Sequence, residues 1–383
     1  MIKISCRKNL IYLLLLFISF FLRRILSIII DKIYGINNSL IFIFLMVLGE
    51  IIGGAIIFLY QNTFLKKSKK KEKNLHYQFV YSENQLNRAD KLPKIILLIF
   101  FAAYFDLIEF FILSNFLPKI AIISATSTLR LCCIITIASS IICTYALKYK
   151  IGRHHKFSLI ILSITSLMII TIEFINKPKE IELGNFIFAY ILILCHFLFL
   201  SFTDVIEKYL VDYNYLNHLK ILMTEGIIEF IMSLIYSIFH DPFKEVKEIY
   251  EEVETNKFIL FVFLLILFSV FSAGINIYKI LCNVLYSPMA KSLTSYFLNS
   301  VFIIYYYIDG TDFKIDGERN FFYFIINLIF SVIIELFGLV YNELFILSCC
   351  DLSEDTHHGI TERSLSTQIE LDTNVVEDDE DNI

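Results

Sequence analysis

The amino-acid sequence predicts an all-α, polytopic membrane protein of about ten transmembrane helices in two five-helix repeats. Three observations predict it. Hydrophobic residues fill 57% of the 383 positions and charged residues only 19%, against about 45–50% and 25% in soluble domains. Apolar runs of about 20 residues, the length that crosses roughly 30 Å of hydrocarbon, recur from end to end. Lys and Arg fall unevenly on alternate loops, as a fixed membrane orientation requires. These features exclude an ordinary soluble enzyme, a disordered chain and a disulfide-stapled secreted domain.

The expected spans are 10–30, 39–61, 93–115, 120–146, 157–175, 185–207, 219–239, 258–281, 287–308 and 320–347. The first follows Lys3, Arg7 and Lys8, but it is longer than a signal-peptide core and no small-residue cleavage site follows it. Arg23 and Arg24 near its far end are expected to snorkel to the interface. Within the second, Glu50 follows a long apolar run and precedes the close-packing pair Gly53-Gly54. The stretch 240–256 between the seventh and eighth spans reads as a helical extension along a surface rim. A polar linker at 176–184 divides the chain into repeats at 1–175 and 184–347. In both, the fourth span opens on small and hydroxylated residues around a basic one, Ser124 to Arg130 and Ser287 to Ser295.

With the N-terminus in the cytoplasm, 21 of the 33 Lys and Arg residues fall on cytoplasmic segments and 9 on the opposite side. An even span count returns the C-terminus to the cytoplasm. Residues 348–383 carry eleven acidic side chains and only Arg363, a charge of −10, and read as a disordered, solvated tail. The eight cysteines show no zinc spacing. The adjacent pairs Cys132-Cys133 and Cys349-Cys350 cannot form an unstrained disulfide, so all eight are expected reduced or lipid-facing. His154-His155 and His357-His358 read as solvated pairs, so no metal site is expected. Asn37 begins the only glycosylation sequon.

Ionisable residues lie inside the apolar runs: Glu50, Asp106, Glu109, Arg130, Glu173, Asp204, Glu207, Glu225, Glu229 and Glu335. Each costs on the order of 2.5–3.5 kcal/mol in hydrocarbon, so it should face the bundle interior or a water-filled cavity. Asp106 and Arg130, on successive antiparallel spans, are expected to pair or to share a cavity. Glu225 and Glu229 share a helix face, where two like charges call for a shared proton or cation. Glu50 is expected to line the same space. Asp204 and Glu207, three apart on span 6, are expected either to couple a proton or cation in the same way or to lie at the water-accessible cytoplasmic end, and Glu173 and Glu335 at packing or interface positions. Asn276 and Lys279, one turn apart, are expected to face the cavity from the second half, with snorkelling of Lys279 to the cytoplasm as the alternative. No nucleophile elbow, zinc-protease motif, P-loop or dinucleotide turn is present, so neither an enzyme nor a cofactor is expected.

Several stretches, in order along the chain, resemble the nucleotide-sugar-transporter-like solute carrier 35 group of the drug/metabolite transporter superfamily, especially its subfamily F. They are Phe44 to Glu50, Asp106, Ser124 to Arg130, Glu207-Lys208-Tyr209, Thr224-Glu225-Gly226, Asn276 and Tyr341-Asn342-Glu343. The chain departs from that branch at Leu131 and Ser295, and it lacks the Gly-Ala-Leu-Asn-Lys pattern of GDP-mannose carriers. The resemblance implies a secondary transporter moving a small polar or anionic organic solute across an endomembrane by alternating access. Its partners would be that solute, the lipid bilayer and at most a second copy of itself, with no nucleic acid. The rival expectation is a non-transporting scaffold or receptor of the same fold, whose central cavity would be packed shut.

Overall fold

The computed structural model describes residues 2–4, 11–36, 40–63, 90–112, 125–177, 182–238, 244–252, 254–310, 312–315, 318–347, 352 and 356. The helices are α1 (Ile11–Tyr34), α2 (Leu40–Thr63), α3 (Leu92–Phe111), α4 (Ala125–Arg130), α5 (Cys133–Ala146), α6 (Arg153–Ile175), α7 (Leu183–Asp212), α8 (His218–Ser237), α9 (Lys244–Glu252), α10 (Thr255–Leu285), α11 (Ser292–Asp309) and α12 (Phe321–Tyr341). Short strands β1 (Ile2–Ile4), β2 (Lys314–Ile315), β3 (Glu318–Arg319) and β4 (Phe345–Leu347) complete the described elements.

Local chemistry sets several helix ends. A proline stands in the first turn of α3, where its missing N–H would have no helical partner anyway. The Asn217 side chain accepts a hydrogen bond from the Leu219 N–H at the start of α8. Asn320 does the same for Tyr323 at the start of α12. Gly310 ends α11 in the left-handed conformation at φ 70°. The fourth expected span is broken: a turn at Leu131 and Cys132 separates α4 from α5. The stretch 240–256 holds a separate short helix, α9, whose Ile249 packs with Phe261 and Leu264 of α10. The last span stops at Tyr341 and gives way to β4.

The protein is an all-α, multi-pass membrane protein. Among the described residues, six helices are long and apolar enough to cross a membrane: α1, the 41–59 part of α2, α6, α7, the 255–283 part of α10, and α12. α3 and α8 fall short because each carries three charged residues, Lys94, Asp106 and Glu109 on one and Lys220, Glu225 and Glu229 on the other. The outward surface is apolar, with Ile96, Phe100, Ile164, Leu167, Ile231 and Phe263 among the exposed side chains. The polar residues are inside, the reverse of a soluble protein.

α10 packs against α1 and α2, α3 against α7 and α8, and α2 against α8. On the other flank α7 packs on α5, α1 on α11, α5 on α6, α11 on α12 and α4, and α6 on α12. α2 approaches two neighbours closely. A Cβ on Gly226 would lie 2.9 Å from Ile51 and 3.3 Å from Glu50, and one on Gly49 would lie 2.5 Å from the Ser269 carbonyl oxygen. Both positions therefore need glycine. β1 pairs antiparallel with β4, Ile2 opposite Leu347, so the segments before α1 and after α12 lie at one end of the bundle. Of the acidic tail only Leu352 and Thr356 are described, and both are buried. The rest of the expected tail and the sequon at Asn37 lie outside the described residues.

Candidate functional site

The interior between α2, α3, α7, α8 and α10 is ionisable rather than apolar. Lys279 of α10 ion-pairs with Asp106 of α3 at 2.8 Å and approaches Glu207 of α7 at 4.0 Å. One turn earlier, Asn276 donates to Glu50 Oε2 at 2.8 Å. One turn later, Asn283 donates to Glu207 Oε2 at 2.6 Å and to Asp204 Oδ1 at 3.3 Å. The i, i+3/i+4 spacing of Asn276, Lys279 and Asn283 puts one polar stripe of α10 along the acids of three helices. Lys291, in the turn before α11, ion-pairs with Asp204. His196 Nδ1 lies 3.6 Å from Glu109 Oε1.

Seven buried carboxylates, Glu50, Asp106, Glu109, Asp204, Glu207, Glu225 and Glu229, thus share two ammonium groups, Lys279 and Lys291. One carboxylate oxygen each from Glu50, Asp106 and Glu229 lies within 4.8 Å of the other two. Glu225 Oε1 and Glu229 Oε2 are buried without a hydrogen-bond partner. A low-dielectric interior does not hold such an excess of negative charge unassisted, so this region must take up protons or cations. Glu50, Asp106 and Glu229 offer three oxygen ligands, suited to a shared proton or a hard monovalent cation and short of the six to eight that Ca²⁺ takes.

Beside this network lies a cavity of about 300 Å³ lined from α1, α2, α3, α4, α5, α7, α10 and α11. Its polar lining includes Arg23, Arg24, Asp106, Glu109, Thr128, His196, Asn276, Lys279, Lys291 and Ser295. Its apolar walls include Phe42, Phe268 and Phe302.

Of the expected site residues, Glu50, Asp106, Glu225, Glu229, Asn276 and Lys279 are all buried or half-buried in this region, and Asp106, Asn276 and Lys279 line the cavity. Arg130 is elsewhere. It ion-pairs with Glu173 at 2.7 Å and Asp312 at 2.5 Å, accepts no role in the cavity lining, and donates to the Tyr323 hydroxyl at 2.8 Å. Its guanidinium also stands 4.8 Å over the Phe313 ring. The expected Asp106–Arg130 pair is therefore not formed. α3 packs chiefly on α7 and α8 rather than on the helix that follows it, so succession in sequence did not bring the two side chains together.

Other expectations are also corrected. Asp204 and Glu207 are 0% and 3% exposed, not at a wet helix end. Glu173 is the partner of Arg130 rather than a packing residue. Arg23 and Arg24 face the cavity instead of the interface. His154 is buried, 3.3 Å from Glu343, rather than solvated. The described cysteines are free thiols, in line with the expected reduced state, and Cys132, Cys133, Cys143 and Cys282 are buried. Sequence reasoning did not single out His196 or Asn283. A polar residue on the face already marked by Asn276 and Lys279 was the available signal for Asn283.

No protein-family model and no curated protein matches the chain. The functional reading therefore rests on the geometry above.

Proposed function

We propose that this protein is a secondary transporter of the drug/metabolite transporter type, with ten spans in two five-span repeats and alternating access by rocking of the halves. The observation that carries the reading is the cavity. Its charged lining comes from both halves: Arg23, Arg24, Asp106 and Glu109 from the first, Lys279 and Lys291 from the second. A scaffold needs no such space, and buried ionisable groups are costly to keep without use. Ligand sites at a repeat interface near mid-membrane are the general plan of secondary carriers.

The packing supports the repeat. Exchanging each span for the one five places on maps α1 on α10 to α7 on α3, and α2 on α10 to α8 on α3. It maps α7 on α5 to α1 on α11, and α11 on α12 to α5 on α6. The pairs α2–α8, α4–α11 and α6–α12 map onto themselves. Such a relation is what two equivalent five-helix units produce. β1 beside β4 fits an even number of crossings, and the lysine and arginine bias assigns that end to the cytoplasm. An endomembrane location follows from the family resemblance.

The solute is a small polar or anionic organic molecule, and the excess acids on α2, α3, α7 and α8 are the coupling groups. The test is exchange in proteoliposomes preloaded with candidate solutes. Saturable counterflow of at least one solute is expected, abolished in a folded Lys279→Met variant. Absence of exchange for every solute class, alongside stoichiometric capture of a protein partner by the acidic tail, would instead make the protein a scaffold.

A further inference from the structure

α1 carries two arginines that a membrane helix has no reason to hold. Arg23 stands twelve residues from the start of the 24-residue helix Ile11–Tyr34, about 17 Å from either end at 1.5 Å per residue. At that depth a guanidinium needs an acid, a cavity or both. Neither arginine forms an ion pair. Arg23 reaches only the Met46 sulfur at 3.6 Å and the face of Phe20 at 5.4 Å. Arg24 donates to the Tyr306 hydroxyl at 2.9 Å, and its Nε is buried with no partner. Both line the cavity.

The two lysines of the lining are already engaged. Lys279 is held by Asp106 and Lys291 by Asp204, while Glu109 has His196 beside it at 3.6 Å and keeps one buried oxygen without a partner. The acids Glu50, Glu225 and Glu229 are not part of the lining. The cavity surface presents four cationic side chains and two carboxylates, Asp106 and Glu109, and the cations without an ion-pair partner are Arg23 and Arg24. Neither guanidinium is within ion-pairing distance of an acid, so each can take an anionic ligand without displacing a paired carboxylate. Guanidinium forks match carboxylate and phosphate oxygens and stay charged at every accessible pH.

We propose that Arg23 and Arg24 form an anion-binding pair that holds the carboxylate or phosphate of a small organic anion, with the ligand's apolar or aromatic body against Phe42, Phe268 and Phe302. The volume of about 300 Å³ stands at the lower end of the roughly 300–1,000 Å³ of ligand pockets. It takes a small anion and leaves no room for a nucleotide joined to a sugar. Aromatic walls favour a planar or apolar body over a fully hydroxylated one. The inference rests on the carrier reading only for what the binding accomplishes.

The test is thermal unfolding of the purified full chain in detergent, with phenylacetate, phenyl phosphate, inorganic phosphate and benzylamine as probes. A ligand that binds only the folded state raises the Tm in a saturable way. At least one of the two aromatic anions is expected to do so, the stronger of them naming the head group, with inorganic phosphate weaker and benzylamine without effect. The Arg23→Gln/Arg24→Gln double variant should fold with an equal or higher Tm, because it removes charges that have no partner. It should bind the aromatic anion at least tenfold more weakly. A Tm rise with benzylamine equal to that with the anions, no shift with either aromatic anion, or an undiminished shift in the double variant overturns the proposal. So does failure of the double variant to fold, since the pair would then be structural. Binding without uptake in proteoliposomes breaks the carrier reading and leaves the anion site standing.

Discussion

Arg130 and the Arg23–Arg24 pair are the same residue type in the same membrane, yet they have opposite surroundings. Arg130 is 2% exposed and meets two carboxylates, a phenol hydroxyl and an aromatic face. It ties α4 to the end of α6, to the segment after α11 and to the start of α12. Arg23 and Arg24 make no ion pair and face open space. A saturated guanidinium is a clasp, since a ligand would have to displace a paired carboxylate to reach it. An unsaturated one is a binding group, because its electrostatic need is met only when a ligand arrives. The same distinction separates Arg130 from the acid-rich centre, where Glu225 and Glu229 each keep a buried oxygen without a partner. Pairing, more than burial, divides structural charge from functional charge here.

The largest expected effect comes from opening the clasp. Arg130→Ala leaves Glu173 and Asp312 buried without their cation, and should lower unfolding stability in detergent by about 3–5 kcal/mol. Combining Arg130→Gln with Glu173→Gln and Asp312→Asn should recover most of that loss, because the uncompensated charges go with the arginine. A triple variant as unstable as Arg130→Ala would mean that the residues do not act as one ionic unit.

An intermediate effect is expected at Lys279, where the stranded group faces the cavity. Lys279→Met removes the cation from Asp106 and Glu207, but water or a proton from the cavity can relieve them. A loss of roughly 1–3 kcal/mol follows, and Asp106→Asn in the same chain should reduce it. A Lys279→Met loss as large as that of Arg130→Ala would erase the contrast between clasp and site.

The smallest effect is expected outside the membrane spans. Asp90, just before α3, accepts hydrogen bonds from Lys94 at 2.7 Å, Tyr209 at 2.9 Å and Asn214 at 3.4 Å. The Lys94 ammonium is the main cause that holds the Asp90 carboxyl below the usual carboxylate range. Its folded value being depressed, the group adds stability above the ordinary carboxylate range and loses it as pH falls through that range and below. Asp90→Asn should therefore flatten the acid limb of the stability–pH curve slightly, with no change near neutral pH beyond a small loss. An acid limb unaltered by the substitution would remove Asp90 from that role.

Much of this was legible in the chain itself. The apolar runs marked where helices form, and the cost of ionisable groups in hydrocarbon correctly sent Glu50, Asp106, Glu225 and Glu229 inward. The spacing of Asn276 and Lys279 marked one face of α10. Which charge meets which could not be read the same way. Asp106 and Arg130 stand on successive spans, but α3 packs on α7 and α8, and its aspartate finds Lys279, 173 residues further along the chain.

Arg23 and Arg24 show the same limit from the other side. Sequence near a presumed helix end argued for snorkelling, whereas the helix extends to Tyr34 and places them at its middle. Composition and hydropathy are sums over neighbours in the chain, so they determine that charges are buried and roughly at what depth. Ion pairing falls off within a few ångströms and depends on the rotation of each helix about its axis. Only the packing of distant helices sets that rotation, and so only the tertiary structure decided which arginine is a clasp and which pair faces the cavity.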